Sequence, residues 1–194
     1  MPDRIFETVV TTCSPEGEVH IAPMGVRYVG EEVVLKPFRP SRTLDNVLAT
    51  HTAVLNLLTD VRVFAGCVTG RRTWPTVPVD AGRWPAVRLA CAHSHVLLRL
   101  AGAADDAQRP TLRLARGQEV QHSTFPGFNR AQSAVIEGAV LVSRLHLLPP
   151  AKIESEMAYL QMAIDKTAGA AELDAWSWLQ DAVARHPEPT MGVA

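Results

Sequence analysis

The sequence has few cysteines and almost no net charge. Cys13, Cys67 and Cys91 are the only cysteines among 194 residues, and no CxxC pair is present. Their odd number and wide spacing argue against a disulfide framework or a zinc knuckle and favour a reducing compartment. The formal net charge of −1 offers no broad electrostatic surface to nucleic acid or to an anionic membrane. We therefore expect the partner to be a small molecule.

Long apolar runs and the common nucleotide and hydrolase motifs are also missing. The first ten residues, MPDRIFETVV, contain no apolar signal-peptide core, and no run approaches the length of a membrane span. The sequence has no GxxxxGK[ST], GxGxxG or GxSxG motif, so it supports neither a P-loop, nor a dinucleotide fingerprint, nor a hydrolase nucleophile elbow. We expect a cytoplasmic protein that lacks these three kinds of site.

The first two thirds of the chain alternate β-branched runs with turn-forming clusters. From Phe6 to about Gln121, ETVVTTC leads into SPEG and EVHIAPMGVRYV leads into GEE, which is typical of a strand meander. We count six or seven strands, with VRVFAGCV among these runs, and one short helix in RTLDNVLAT. Because so many short antiparallel strands must protect their edges, we expect a small closed barrel.

The apolar period changes to three or four residues near residue 123. This spacing predicts a helix of about five turns from Gly127, a second helix that ends at Gly169, and a third in AAELDAWSWLQDAVARH. The fold class is therefore α+β. We expect a barrel domain over residues 1–122 and a C-terminal helical subdomain over residues 123–194, packed on the barrel.

The segment KPFRPSRTLDN, residues 36–46, lies where a strand leads into the short helix. Ser41 can cap this helix, and the N-terminus of a helix offers unpaired N–H groups and a positive dipole end to phosphate. Arg39 or Arg42 could bind two phosphate oxygens while the hydroxyls of Ser41 and Thr43 bind others. Secondary candidates are Lys36 and Asn46. The alternative is a solvent-exposed turn in which Ser41 only caps the helix.

Several histidines have both a binding and a structural interpretation. His93 and His95 would share one face of a strand and could hold a metal, but no third ligand is evident and ordinary strand histidines are the better interpretation. No metal site is therefore predicted. His20 precedes a strand segment, HIAPMGV, and either contacts a cofactor or substrate or faces solvent.

Three further features outside the loop are ambiguous. Trp74 and Trp84, with Arg71, Arg72 and Arg83 nearby, line a substrate entrance or cover one barrel end. Lys166 and Thr167 reach a phosphate or substrate carboxylate, or Lys166 only complements a helix dipole. Glu137 is buried with an arginine or, as we expect, faces solvent.

The order of three motifs resembles a known group of flavoproteins. HIAPMGV, then FRPSRTLDN, then AVLNLLTDVRVFAG is similar to the order in FMN-binding split β-barrel proteins, the group of flavin reductases and pyridoxamine-phosphate oxidases. GFNRAQSAVIEGAVLVSRLHLLP and IDKTAGAAELDAWSWL resemble one poorly characterised branch, which is linked to tetrahydromethanopterin-dependent one-carbon metabolism. The resemblance extends from about Glu7 to Leu179.

This resemblance implies FMN as cofactor and assigns its contacts. Arg39, Ser41 and Thr43 would bind the phosphate, with Asn46 completing the site. The backbone of a β-strand segment would follow the isoalloxazine ring, namely Ala22, Pro23, Met24 and Gly25. Asn56 and Asp60 match positions near the flavin. The family also implies a homodimer with two cofactors in clefts between the barrels, and a flat ring does need a mostly apolar cleft.

The function implied is that of an oxidoreductase or electron-transfer flavoprotein. The flavin would carry the electrons while the protein supplies orientation and electrostatics, so no acid or base signature is required. The family association suggests a pterin-like substrate or another small molecule in one-carbon metabolism. Two alternatives remain: a non-catalytic FMN carrier or sensor, and a barrel that binds a different phosphorylated ligand through the same loop.

Overall fold

The structure is a computed structural model that describes residues 4–186. In this range the chain forms two compact units. The barrel unit contains residues 4–59 and 72–125, and the helical unit contains residues 60–71 and 126–186. The predicted domain boundary between residues 122 and 123 stays a prediction. No helix among residues 4–186 is both long and apolar enough to cross a membrane.

Six of the strands in the barrel unit form one closed antiparallel barrel, in the order β1-β2-β3-β8-β7-β4. These strands are β1 (Phe6–Cys13), β2 (Val19–Val29), β3 (Glu32–Leu35), β4 (Thr52–Leu57), β7 (Ser94–Ala104) and β8 (Thr111–Gln121). Two short strands, β5 (Thr76–Pro78) and β6 (Val87–Leu89), pair with each other, and helix α1 spans Arg42–Thr50. The predicted fold class, a split antiparallel barrel followed by helices, is confirmed.

Alternation of side chains fills the barrel interior with aliphatic residues. The inward-facing positions of all six barrel strands and one face of α1 form a single buried cluster. Its members include Val10, Val26, Leu35, Leu44, Val47, Leu55, Leu98 and Leu114. Because strand side chains alternate between faces, a β-branched run with period two packs one face into this cluster.

The barrel wall is incomplete beside strand β3. This strand has four residues and pairs with Val26–Val29 of β2 on one side and with Leu112–Ala115 of β8 on the other. Residues 19–25 of β2 and 116–121 of β8 therefore have no strand partner on the β3 side within the described part of the chain. The two unpaired segments lie at opposite ends of β3: residues 19–25 of β2 extend beyond Leu35, and residues 116–121 of β8 extend beyond Glu32.

Four helices form the helical unit, and one of them was predicted wrongly. They are α2 (Arg62–Val68), α3 (Arg130–Val142), α4 (Pro150–Thr167) and α5 (Ala170–Ala184). We expected VRVFAGCV to be a strand, but it forms α2, with Val63, Phe64, Ala65 and Gly66 buried. A short apolar run that is buried on every side has no periodicity to distinguish a helix from a strand.

The first C-terminal helix is also shorter than its sequence pattern predicted. Helix α3 has 13 residues and ends at Val142, whereas the apolar spacing continues to Leu145. Beyond Val142 the backbone turns through i→i−3 hydrogen bonds, such as the one from Arg144 N–H to the carbonyl of Leu141. Glu137 is exposed, as expected for the solvent side.

Close packing in the helical unit depends on a glycine. A Cβ atom at Gly138 in α3 would lie 2.9 Å from Cζ3 of Trp176 and 3.0 Å from Cδ1 of Leu179, both in α5. The Trp176 indole N–H donates to Oε1 of Gln161 at 2.7 Å, which satisfies the polar atom of this buried ring. Helices α3 and α5 therefore approach at a point where only glycine fits.

We predict that Gly117→Ala in β8 destabilises the barrel. Its Cβ would lie 2.9 Å from the backbone carbonyl oxygen of Leu97, beside an irregularity in the β7–β8 register. Backbone atoms cannot yield as a side chain can, so we expect a loss of about 1–3 kcal/mol in the free energy of unfolding, measured by urea denaturation. Gly102→Ala in β7 is the matched control because nothing lies within 4 Å of its Cβ. Equal effects of the two variants would contradict the prediction.

Candidate functional site

The N-terminus of α1 is capped as its sequence predicted. Ser41 has an extended backbone (φ −145°, ψ 114°), and its Oγ accepts a hydrogen bond from the Leu44 N–H at 3.2 Å. Among the described residues, no acceptor is bonded to the N–H groups of Arg42 and Thr43. These two donors and the positive end of the helix dipole together form a place where an anion can bind.

Thr43 provides an unsatisfied polar group at the same helix end. The residue is 0% exposed, and its Oγ1 has no hydrogen-bond partner in the described part of the structure. A buried hydroxyl without a partner costs about 1–3 kcal/mol. An acceptor atom that reached this hydroxyl would recover this energy.

Arg39 is occupied by contacts with the turn between β7 and β8. Its Nη2 lies 2.6 Å from a carboxylate oxygen of Asp105, and its Nε donates to the carbonyl of Asp106 at 3.2 Å. Its backbone N–H donates to the carbonyl of Gln108 at 2.9 Å. Arg39 therefore fastens the segment before α1 to the neighbouring turn.

Arg42 acts instead on the environment of His20. Burial lowers the pKa of the His20 imidazole below its ordinary value, and the positive charges of Arg42 and then Arg72 lower it further. Two guanidinium groups from different segments thus act on one imidazole on β2. The sequence placed Arg72 only at a possible substrate entrance. Nothing in the neighbouring sequence indicates that this loop brings Arg72 close to His20.

Asn46 connects α1 to the same region of the barrel. Its side-chain Nδ2 donates to Oγ1 of Thr12 at 3.0 Å, and Thr12 is the cross-strand partner of His20 in the β1–β2 ladder. The predicted residues His20, Ser41, Thr43 and Asn46 therefore lie around one helix end. Thr12 was not predicted, since a threonine inside a β-branched run gives no functional signal.

The segment Ala22–Gly25 lies on the open edge of β2. Its residues pair with Glu7–Val10 of β1, and on their other side they have no strand partner within residues 4–186. Alternate residues of such an edge direct their N–H and C=O groups away from the ladder. Pro23 fits this position because a proline is tolerated in a strand whose edge is unpaired. From His20 to Gly25 the strand extends about 17 Å.

Asn56 and Asp60 each have a hydrogen-bonding role in their own unit. The Asn56 side chain is 0% exposed, and its Nδ2 donates to the carbonyl of Val9 while its Oδ1 accepts from the Leu89 N–H at 2.7 Å. The carboxylate of Asp60 contacts Nε and Nη2 of Arg62 at 2.9 and 2.8 Å. That they also lie near a flavin stays a prediction.

The two histidines considered for a metal do not share a strand face. His93 precedes β7 and contacts Thr59 and Ser123, whereas His95 Nδ1 lies 2.8 Å from Nε2 of His122. In residues 4–186, no three His, Cys, Asp or Glu side chains are grouped so that they could hold a metal ion.

The remaining sequence candidates are dispersed. The Arg83 guanidinium lies 4.7 Å from the ring centre of Trp84, and that of Arg71 lies 4.4 Å from the ring centre of Trp178. Thr167 accepts from the Ala131 N–H at 3.0 Å and so joins α4 to α3. Both stacking contacts are local to their units, and Thr167 has a structural role.

We predict that Arg42→Ala raises the pKa of His20, because it removes a positive charge that disfavours the imidazolium. An NMR titration of the imidazole measures this pKa. Arg113→Ala is the control, since Arg113 pairs with Glu32 at 2.7 Å and is not among the charges that act on His20. The pKa of His20 lies below the ordinary 6.5 in the folded protein, so the unfolded chain binds the proton more readily. His20 therefore lowers the free energy of unfolding as the pH falls through its ordinary pKa. An unchanged His20 pKa in Arg42→Ala would contradict the assignment.

Comparison with solved structures supports the split-barrel fold. An FMN-bound protein of Methanosarcina mazei is 23% identical over 93% of this chain and 95% of its own, with a TM-score of 0.80. The 2-nitrobenzoate 2-nitroreductase of Pseudomonas fluorescens is 20% identical over 63% of this chain and 66% of its own, with a TM-score of 0.52. An FMN-binding protein of Thermus thermophilus with bound p-hydroxybenzaldehyde is 13% identical over 63% of this chain and 82% of its own, also with a TM-score of 0.52. A search of curated proteins found no match.

Family models cover most of the chain. Residues 6–123 match the N-terminal domain of the family described as protein of unknown function DUF447. Residues 129–181 match the second model of the same family. The two matches follow one another and include both the barrel strands and the three C-terminal helices. The chain therefore belongs to the DUF447 family.

Proposed function

We propose that this chain is an FMN-binding flavoprotein that acts as an oxidoreductase or an electron-transfer protein on a small molecule. The observation that carries the proposal is the group of unsatisfied donors at the N-terminus of α1: the N–H groups of Arg42 and Thr43 and the buried Thr43 hydroxyl. The FMN bound by the Methanosarcina mazei family member supports the choice of ligand.

In this proposal the phosphate binds at the helix end. The N–H groups of Arg42 and Thr43 donate to its oxygens, the Thr43 hydroxyl, which has no partner among the described residues, supplies a further donor, and Ser41 keeps the first turn in place. Arg42 supplies positive charge, whereas Arg39 positions the loop through Asp105. His20 and Asn46 stand beside this site and hold its wall against β1 and β2.

The isoalloxazine ring follows the open edge of β2 in this proposal. Alternate residues of the Ala22–Gly25 segment direct their backbone groups to the side away from β1, where they are available to the polar edge of a ring, because no strand pairs with that side among the described residues. Pro23 offers only its carbonyl. Arg39 and Asn56 contribute to the site by holding the loop and the wall.

We propose that the barrels associate as a homodimer. Large apolar side chains are exposed where β1 begins and β8 ends, namely Ile5, Phe6, Val120 and Phe125. Exposed apolar surface of this kind is commoner at an interface than on a free surface. A second barrel placed over it would create the apolar cleft that a flat ring requires.

The chemistry comes from the cofactor: a bound flavin accepts and passes on electrons or hydride. The chain's residues orient the ring and neutralise the phosphate. The pterin-like substrate, the link to one-carbon metabolism and the cytoplasmic location are part of this proposal through the family resemblance of the GFNRAQ and DKTAG segments.

We predict that Arg42→Ala weakens FMN binding by at least tenfold, while Arg39→Ala has a smaller effect. Loss of one charged phosphate hydrogen bond costs about 1.5–3 kcal/mol, whereas Arg39 is held in an exposed pair that contributes little. Titration of FMN-free protein with FMN, followed by quenching of flavin fluorescence, measures both affinities, and Arg113→Ala is the control. A larger loss of FMN affinity in Arg39→Ala than in Arg42→Ala would indicate that Arg39 binds the phosphate. If the chain binds no FMN at all, the proposed function is wrong.

We predict that NADH or NADPH bleaches the visible absorption band of the FMN-loaded protein under anaerobic conditions. The bleaching should be faster than for the same concentration of free FMN, because the protein orients the two reactants. Stopped-flow absorbance measures the rates. No acceleration with either donor would favour the alternative of an FMN carrier or sensor.

A further inference from the structure

A cavity of about 390 Å³ lies in the barrel unit, apart from the N-terminus of α1. It is formed where β1 begins, β4 ends, β7 begins and β8 ends. Glu7, Leu57, His93, Ser94, Glu119 and Phe125 are among the residues that line it. Its volume falls in the range of sites for small molecules, and none of the residues proposed to contact the cofactor is among those that line it.

The charge of this cavity is opposite to that of the helix end. Glu7 and Glu119 supply two carboxylates, and no lysine or arginine is among the lining residues. The Ser94 hydroxyl donates to Oε1 of Glu119 at 2.5 Å, which holds that carboxylate in place while its other oxygen has no bond among residues 4–186. The Glu7 carboxylate has no hydrogen bond or ion pair to any described residue. Acceptors thus outnumber charged donors in this cavity.

His93 makes one wall of the cavity rigid. Its Nε2 lies 2.7 Å from the hydroxyl of Thr59, and its Nδ1 lies 2.7 Å from the hydroxyl of Ser123. Its carbonyl accepts from the N–H groups of His122 and Ser123. With both ring nitrogens already bonded, His93 orients the wall and adds no free donor for an anion, so the chemistry of the site is set by the two carboxylates.

The cavity adjoins the strand segment proposed for the ring. Glu7 is the cross-strand partner of Gly25, and its Oε1 lies 3.6 Å from the position of a Cβ atom at residue 25. The apolar part of the lining, Leu57 and Phe125, can pack against a flat ring. A ligand in the cavity would therefore lie one strand away from the Ala22–Gly25 segment.

We propose that this cavity binds a second ligand, the substrate, as a planar ring that carries amidine-type N–C–N donor groups. Two N–H groups in a fork match a carboxylate in a bidentate way, and Glu119, held by Ser94, is oriented for such a pair while Glu7 adds the second negative charge. That this ligand is the substrate rests on the proposed function, whereas the site itself stands on the cavity and its lining.

Benzamidine is the probe that tests this site, because it combines a flat ring with an amidinium group. We expect ligand-observed NMR to detect binding of benzamidine to the FMN-free protein, and much weaker binding of benzamide and benzoate. Glu119→Gln and Glu7→Gln should each weaken benzamidine binding by about tenfold and leave FMN affinity unchanged. Glu16→Gln, in the exposed turn between β1 and β2, is the matched control and should bind as the wild type does.

The outcomes separate this inference from the proposed function. Benzamidine binding that depends on Glu119 and Glu7 in a protein that takes up no FMN would keep the site and reject the flavoprotein proposal. FMN uptake without benzamidine binding, equal binding of benzoate, or unchanged binding in both glutamate variants would overturn the site. Circular dichroism of each variant checks that it folds, and a misfolded Glu119→Gln is replaced by Ser94→Ala, for which weaker benzamidine binding is again expected.

Discussion

Strand β3 is only four residues long, and this length determines where the barrel wall is open. Strands β2 and β8 have 11 residues each, so both extend beyond β3 and leave backbone donors and acceptors unpaired. Backbone polar groups that a fold would bury must be bonded, so an unpaired edge persists only where solvent, another chain or a ligand reaches it. The open edge of β2 is therefore a place where a flat polar-edged ligand gains hydrogen bonds without disrupting a ladder.

The position of α1 gives this open edge its electrostatic character. Asn46 bonds to Thr12, which fixes the helix against the β1–β2 pair, and Ser41 completes the first turn. The positive charges of Arg42 and Arg72 then act on His20. At the start of β1 the lining is acidic instead, with Glu7 and Glu119. Along one strand pair the potential thus changes from positive to negative, which suits an anionic cofactor tail at one end and a donor-rich molecule at the other.

Local sequence signals predicted much of this architecture. The turn clusters SPEG and GEE mark real strand ends, the apolar spacing after residue 123 gives three helices, and Ser41 caps α1. The prediction of a strand in VRVFAGCV was wrong because α2 is buried on several sides and lacks a polar face. Helix α3 ends at Val142, before its apolar pattern does, and the chain continues through turns with i→i−3 hydrogen bonds. Arg39 and Arg42 look equivalent in the sequence, and only contacts with distant residues, such as that of Arg39 with Asp105, distinguish them.

Local sequence patterns indicate the kind of element at most places: strands from alternation, helices from the longer period, and a cap from a serine before a helical run. Each of these depends on contacts within a few residues. Contacts between distant residues determine which strand edge stays open, which arginine is engaged elsewhere, and that Glu7, Ser94 and Glu119 share one cavity. These outcomes depend on residues that are far apart in the chain and meet only when the barrel closes, so no local pattern records them.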